Sequence, residues 1–398
     1  MTAAAEDPAA SPRLTAPELL VHLFLTARRQ DPAESWERFR SVWQHVTGQL
    51  GLDRAIEPLG VPWLLPPAPP EGEAGTGPGA MILAAAERDT ERIWQAAAWA
   101  QHDALCLTVM MAPARQRDCA AAWPELERAW AAARPAILPG ALLGEARLFL
   151  ALAGDGPDAR PARPGGIAAL VRAAAPPPSG DGWWQHWDPV PLGSAGDAHV
   201  WEAGPESHDA RACRRFVVVA PIGAEQAADR LLWTSGDGQP APLTQHLLQA
   251  ARLRHQVRVF DGGRAAYRRK DELRLLARDQ AAGPGGTSLP AGRLAYARDA
   301  ALALAGILGE MRHAVTVLGG SLRVVLNLPD GSPATGPLSD DQDLARWFGQ
   351  RIDDEITGLE TAATAAAPLL AAPRARTRPG PHGAAAGGPR RPDARARR

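Results

Sequence analysis

One lysine, three cysteines and ten histidines bound the covalent and metal chemistry open to this chain of 398 residues. Lys270 is the sole lysine and follows Arg269, so no Gly-Lys-Ser/Thr phosphate loop can exist and no other position can form a Schiff base. Gly75, Gly77 and Gly79 stand in a proline-rich stretch and not between a strand and a helix, which removes a dinucleotide-binding turn. His-Glu-x-x-His and Cys-x-x-Cys are both missing, so the standard zinc spacings are missing too. Gly319-Gly320-Ser321 lacks the second half of a nucleophile elbow and lies within a helical stripe.

The weaker constellations read as structural. His102-Asp103 resembles the metal-binding pair of phosphohydrolases, but the further His and Asp such a site needs are not placed, and a local cap entering a strand is expected. His199, His208 and Cys213 are close in sequence, but their irregular spacing in loop context argues against a metal site. Cys106 sits in an apolar run and reads as core. Cys119 stands in a more exposed context with no His or Asn placed to activate it. The odd cysteine count and wide spacing indicate no disulfide framework. No catalytic residue, metal or cofactor is expected.

Two clusters could bind a partner. Trp183, Trp184 and Trp187 offer either a stacking surface or the anchor of an edge strand. Asp353, Asp354 and Glu355 give the last helix an acidic face, either simply solvated or a dock for a basic partner. Formal net charge is −1, but residues 371–398 hold eight arginines and one acid, Asp393, so that tail carries +7 and the remainder −1 − 7 = −8. The overall balance points to neither nucleic acid nor membrane. Arginine replaces lysine almost throughout, the usage of a GC-rich bacterial genome.

The elements that must position these residues follow from periodicity. Residues 1–17 read as a disordered leader and not a signal peptide. Val21–Thr26 is a short apolar strand. Asp31-Pro32 then opens a helix whose Trp36, Phe39, Trp43, Val46 and Leu50 step by three and four, with Gly51 as C-cap. Residues 58–79 read as a loop, Ala80–Ala86 as a strand, Ala104–Met111 as a buried strand, residues 121–134 as a helix and Ala146–Leu152 as a strand. Strand, helix, strand, strand, helix, strand is the ferredoxin-like βαββαβ order. The expected fold class is therefore α+β, a ferredoxin-like domain over 18–154 with additional strands. A linker over 155–182, with a short helix at Ile167–Ala174, leads to strand-like pieces at 183–192, 198–203 and 214–221, within a part spanning 183–238. These could extend the first sheet or form a second.

The period changes after Gly238. Helices are expected over Leu243–Val259 and about 266–280. A stripe from Leu304 to Val325 follows, read as a kinked helix or two helices end to end because Gly319-Gly320 interrupts it. Asp340–Asp343 read as acids favoured at a helix N-terminus. Leu344, Trp347, Phe348, Ile352, Ile356 and Leu359 form the stripe of the last helix. The segment 239–366 thus predicts a helical bundle, followed by a disordered basic tail over 367–398. No uninterrupted run of about 18 apolar residues is read, so no spanning helix is expected and the default location is cytoplasmic.

Eight blocks together resemble one family. They are VHLFLT at 21–26, the tryptophan helix 36–50, HDALCLTVMMAP at 102–113, WPELERAW at 123–130, LLGEARLFLALAG at 142–154, RRFVVVAP at 214–221, LLQAARLRHQVRVF at 247–260 and DQDLARWFGQRIDDEITGLE at 341–360. This pattern is similar to the CASPASE/TPR repeat-associated proteins of CATRA conflict systems, known mainly from actinobacteria, over roughly residues 18–362.

The resemblance implies a component of a bacterial conflict or immunity system, encoded beside a caspase-like peptidase joined to TPR repeats. Peptidase chemistry belongs to that neighbour, and no caspase His/Cys dyad is carried over to this chain. The expected role is a non-enzymatic adaptor or sensor acting by protein–protein interaction. A dimeric ferredoxin-like enzyme or ligand-binding protein, and a homo-oligomeric structural assembly protein, are the alternatives.

Overall fold

A computed structural model describes residues 13–27, 31–69, 80–114, 117–154, 164–176, 186–203, 209–233, 239–281, 291–326 and 336–371. The chain runs β1 (Arg13–Thr26), α1 (Pro32–Leu50), β2 (Arg54–Ala55), β3 (Met81–Glu87), β4 (Trp94–Gln101), β5 (Ala104–Met111), α2 (Cys119–Ala133) and β6 (Leu142–Gly154). It continues through α3 (Pro164–Ala174), β7 (Asp188–Pro191), β8 (Asp197–Ala203), β9 (Cys213–Pro221), α4 (Glu225–Leu232), α5 (Pro242–Phe260), α6 (Arg264–Ala281), α7 (Ala291–Val325) and α8 (Pro337–Ala371). The fold is α+β: a mostly antiparallel sheet followed by helices.

Among the described residues all nine strands join one sheet in the order β2-β3-β4-β5-β1-β6-β9-β8-β7, so the strands after the linker extend the first sheet. Every pairing is antiparallel except β6 with β9. Between α1 and α2 the described residues make four strands where two were expected. β4 (WQAAAWAQ) escapes a sequence reading because alanine carries little strand signal. β1 begins at Arg13 and so takes in the last five residues of the expected leader, and Leu14 is already buried. A helix, α4, was also not foreseen.

Helices cover both faces of the sheet. Leu19, Val21, Leu23 and Leu25 of β1 face a core built with α1, α2 and α3. Leu20 and Phe24 face a second core built with α4 and α5. Burial on both faces makes the inner strands continuously apolar, and all eight residues of β5 are buried.

Tryptophans tie the first helical layer to its surroundings. In α1, Trp36 Nε1 donates to Pro66 O at 3.2 Å and Trp43 Nε1 to Trp63 O at 3.1 Å. In α2, Trp123 Nε1 donates to Leu150 O at 3.2 Å and Trp130 Nε1 to Glu145 Oε1 at 2.9 Å. Each indole buries a large apolar body while its one donor finds an acceptor. The α1 caps are as expected: Asp31 accepts from Glu34 N at 3.0 Å, and Gly51 takes φ 66°.

A third core lies among α5, α6, α7 and α8. One face of α5 (Leu243, Leu247, Leu248) packs on the sheet and another (Ala250, Leu253, Phe260) on the bundle. The helix α7 is one continuous element across Gly319-Gly320, so the reading of two helices end to end is corrected. A Cβ at Gly319 would lie 3.2 Å from Ala345 Cβ, so this glycine lets α7 approach α8 closely. The exclusion of a long apolar helix also fails. Gly292–Val325 is long and apolar enough to cross a bilayer, because alanines, glycines and only scattered charges pass between its large apolar residues.

Candidate functional site

Charged residues meet where the sheet joins the helices. Along β8, Ala198 and Val200 face the core beneath α4 and α5, and Glu202 continues that face by the two-residue period of a strand. Arg214 occupies the same face of β9, two residues before Phe216. Its guanidinium forks onto Glu202, Nε to Oε1 and Nη2 to Oε2, both at 2.8 Å. Its Nη1 reaches both oxygens of Asp341 in α8, at 2.9 and 2.7 Å. It also lies over the Phe216 ring, 4.6 Å from the centroid.

The surrounding charges complete the cluster. Arg211 makes a second fork on Glu202 at 2.9 Å for each bond. Arg254 of α5 donates to Asp341 Oδ1 at 2.5 Å and to Asp340 Oδ2 at 3.2 Å. His246 Nε2 lies 3.4 Å from Asp341 Oδ2. Three arginines face three carboxylates, and Glu202, Arg214, Arg254 and Asp341 are all buried. Burial alone would raise the Asp341 carboxyl, but the Arg214 and Arg254 guanidiniums override it and hold it well below the ordinary range. The same contest leaves Glu202 lowered, with Arg214 and Arg211 outweighing burial. Asp188 of β7 adds a polar tie by capping α8: its Oδ2 accepts from Leu338 N at 2.6 Å and its Oδ1 from Ser339 Oγ at 2.7 Å.

A second polar line crosses the same boundary. Trp99 Nε1 donates to Thr108 Oγ1 at 3.0 Å, and Thr108 Oγ1 lies 3.0 Å from His22 Nδ1. On the other side, His22 Nε2 lies 3.3 Å from Thr244 Oγ1, which donates to Leu232 O at 3.2 Å. Only one proton arrangement satisfies the whole chain: Thr108 donates to Nδ1, and the Nε2 proton goes to Thr244. Burial pushes His22 down to about 3, so the ring is neutral.

The sequence-picked residues are scattered. Trp187 packs edge-on against His199 at 4.3 Å between ring centroids and also touches Trp201, while Trp183 and Trp184 lie outside the described residues. Glu355 does not share an exposed acidic face with Asp353 and Asp354. It is buried, with Lys270 Nζ at 2.5 Å and Arg351 at 2.8 Å. Asp353 is exposed and pairs with Arg312 at 2.9 Å, and Asp354 is exposed. Asp340–Asp343 were read as helix-end acids, yet Asp341 is a buried ion-pair partner.

Among the described residues the candidates do not come together as a metal or nucleophile site. His208 lies outside the described residues, and His199 pairs across the sheet with Val219, six positions along β9 from Cys213. Among the described residues no group of three or more His, Cys, Asp or Glu is placed to hold a metal. Asp103 pairs with Arg252 at 2.7 Å. Cys119 is buried, not exposed, because it opens the core face of α2, and burial followed by Asp118 pushes its thiol up to about 12. Burial and then Glu145 raise the Cys213 thiol, the reverse of nucleophile activation.

The sequence reading missed Glu202, Arg214, Arg254 and Asp341. For the two strand residues a signal was present: a charge on the apolar alternation of VWEA and RRFVVVAP.

An α+β sheet clamped to a helical bundle through buried ions is a two-part scaffold. Family models match both parts: the CASPASE and TPR Repeat-Associated N-terminal domain over residues 18–236 and the corresponding C-terminal domain over 241–366. The chain belongs to the CASPASE and TPR repeat-associated (CATRA) family. Comparison with curated proteins and with solved structures gives no match.

Proposed function

We propose that this protein is a non-enzymatic adaptor or sensor of a bacterial conflict system, acting in the cytoplasm with a caspase-like peptidase that carries TPR repeats. The family match across both halves of the chain carries this reading, since the domains are named for association with CASPASE and TPR repeats. The physical support is the buried cluster. The N-terminal domain supplies Glu202, Arg211 and Arg214, and the C-terminal domain supplies Arg254, Asp340 and Asp341. A ligand or partner sensed by the sheet then alters how the helices sit, because the cluster tolerates few intermediate geometries.

The face offered to the partner is the outer side of α8. Trp347 and Asp354, seven residues apart, share that side, and Trp347 is 51% exposed. An exposed tryptophan with an acid two turns further along the same side suits a helical-repeat surface with a basic pocket. The test is co-purification with the neighbouring peptidase. The W347E/D354R variant, folded like the parent, should lose the complex. Absence of binding by the parent, together with unaltered peptidase activity, sinks the reading.

A small-ligand-binding protein of the ferredoxin-like kind is the second reading. The order β4-β5-β1-β6, with α1 and α2 over one face, supports a ferredoxin-like unit elaborated by extra strands. It is favoured by a cavity of about 580 Å³ whose lining includes Arg13, Arg117 and Asp118 near the start of α2. Saturable binding of a small carboxylate or phosphate, lost in R13A/R117A, would establish it over the adaptor reading.

A further inference from the structure

On the sheet face turned to α4 and α5, one row of residues crosses the strands. Ala85, Ala97, Thr108, His22, Ala146 and Arg214 lie opposite one another in turn, from β3 through β4, β5, β1 and β6 to β9. One end of the row is the buried ion cluster at Arg214. At the other end two alanines stand side by side, and their short side chains leave a hollow above the sheet.

That hollow is a partly open pocket of about 60 Å³ beside Ala97. Trp99, Ile82 and Trp233 give it apolar walls, and Thr108, Thr244 and Gln239 add polar groups. Gln239, just before α5, is tied to the sheet: its Oε1 accepts from Ala80 N at 3.0 Å and its Nε2 donates to Ala80 O at 3.3 Å. Thr244 belongs to the C-terminal family domain and Ile82, Ala97, Trp99 and Thr108 to the N-terminal one, so the pocket lies at their boundary.

The polar chain through His22 decides what the two hydroxyls can offer. Thr108 gives its proton to His22 Nδ1 and accepts from Trp99, while Thr244 gives its proton to Leu232 O and accepts from His22 Nε2. Each oxygen keeps one lone pair, so each can accept a further hydrogen bond and can donate none. No charged residue is among the described residues that line the pocket, so an ion entering it would lose water without compensation. Two tryptophans in the wall favour a flat ring. The volume matches roughly two waters of liquid, so it admits the edge of a single ring and leaves the rest in the mouth.

We propose that this pocket binds a small neutral aromatic molecule whose hydroxyl or N–H donates to Thr108 or Thr244. The site is distinct from the cavity near Arg13 and Arg117, which lies on the opposite face of the sheet. It stands whether or not the chain engages a peptidase.

The test is a ligand-observed NMR titration of the full chain with p-cresol, toluene and benzoate. Saturable binding of p-cresol is expected. Toluene, which lacks the donor, should bind about threefold or more weakly, and benzoate about tenfold or more weakly. Ala97→Leu fills the pocket from a half-buried position and should weaken p-cresol binding about tenfold or more. Trp233→Ala, also at a half-buried position, removes a wall and should weaken it too. No saturable binding, p-cresol affinity unchanged in both variants, or benzoate binding as tightly as p-cresol overturns the proposal. Toluene binding as tightly as p-cresol overturns the hydroxyl contact. If either variant is destabilised, the parent protein decides: a nuclear Overhauser contact between the p-cresol ring and the Thr108 or Thr244 methyl supports the site, and contacts only elsewhere overturn it.

Discussion

Arg214 and Asp341 stand 127 residues apart in the chain and meet inside the protein, Nη1 to Oδ2 at 2.7 Å. One belongs to the last strand of the N-terminal domain and the other to the first turns of α8 in the C-terminal domain. The contact makes the two family domains mutually dependent, because either charge left alone in that interior is costly.

Removing one partner therefore destabilises strongly. Arg214→Met should cost about 3–5 kcal/mol in urea unfolding, and Asp341→Asn a similar amount. The double variant should cost clearly less than the sum, since each single change already abolishes the shared pair. Additive losses would show that the two residues are not coupled.

Acid should unfold the protein through the same cluster. Asp341 and Glu202 are held below their ordinary values of 3.8 and 4.5 in the folded state. Their stabilisation is present above those values and is lost as pH falls through the lower folded values. Asp341→Asn should flatten the acid limb of a stability-versus-pH curve. An unchanged limb would place acid sensitivity elsewhere.

Two groups on β1 oppose each other nearer neutrality. Burial, then Asp229, raises Glu18 from 4.5 to about 7, so its contribution is complete below 4.5 and is lost as pH rises through 7. Burial lowers His22 from 6.5 to about 3, so its contribution is present above 6.5 and is lost as pH falls. Glu18→Gln should leave stability rising with pH between about 5 and 6.5, and His22→Gln should leave it falling. Melting temperatures across that window check both signs, and parallel curves for the two variants would contradict them.

The two adjacent glycines of α7 should respond differently. Gly320 faces open space, so Gly320→Ala should stabilise by up to about 1 kcal/mol through helix propensity. Gly319 lies against Ala345, so Gly319→Val should cost about 1–3 kcal/mol by forcing α7 from α8. Equal effects would mean the helices are not in close contact there.

Much of this architecture was legible because the sheet is covered on both sides. Ala104–Met111, Ala146–Leu152 and RRFVVVAP announce themselves as apolar runs, and Trp36 to Leu50 as a helical stripe with both caps. β4 was hidden by its alanines, and the continuity of α7 by a glycine pair whose effect depends on Ala345. The joining of β6 to β9, a parallel pair made through a long excursion, has no local signal. The buried cluster was half legible. Glu202 and Arg214 break the apolar face of their strands, whereas Asp341 among Asp340–Asp343 looks like any helix-end acid until Arg254 and Arg214 are brought to it.

The central claim is that this chain works by engaging the CASPASE- and TPR-associated partner of its family. Titration of the purified full chain into the neighbouring caspase-like TPR protein, followed calorimetrically, tests it most directly. A saturable complex is expected, weakened at least about tenfold by W347E/D354R at an exposed hot spot. Failure of the two proteins to associate, with peptidase activity the same in both conditions, would contradict the account.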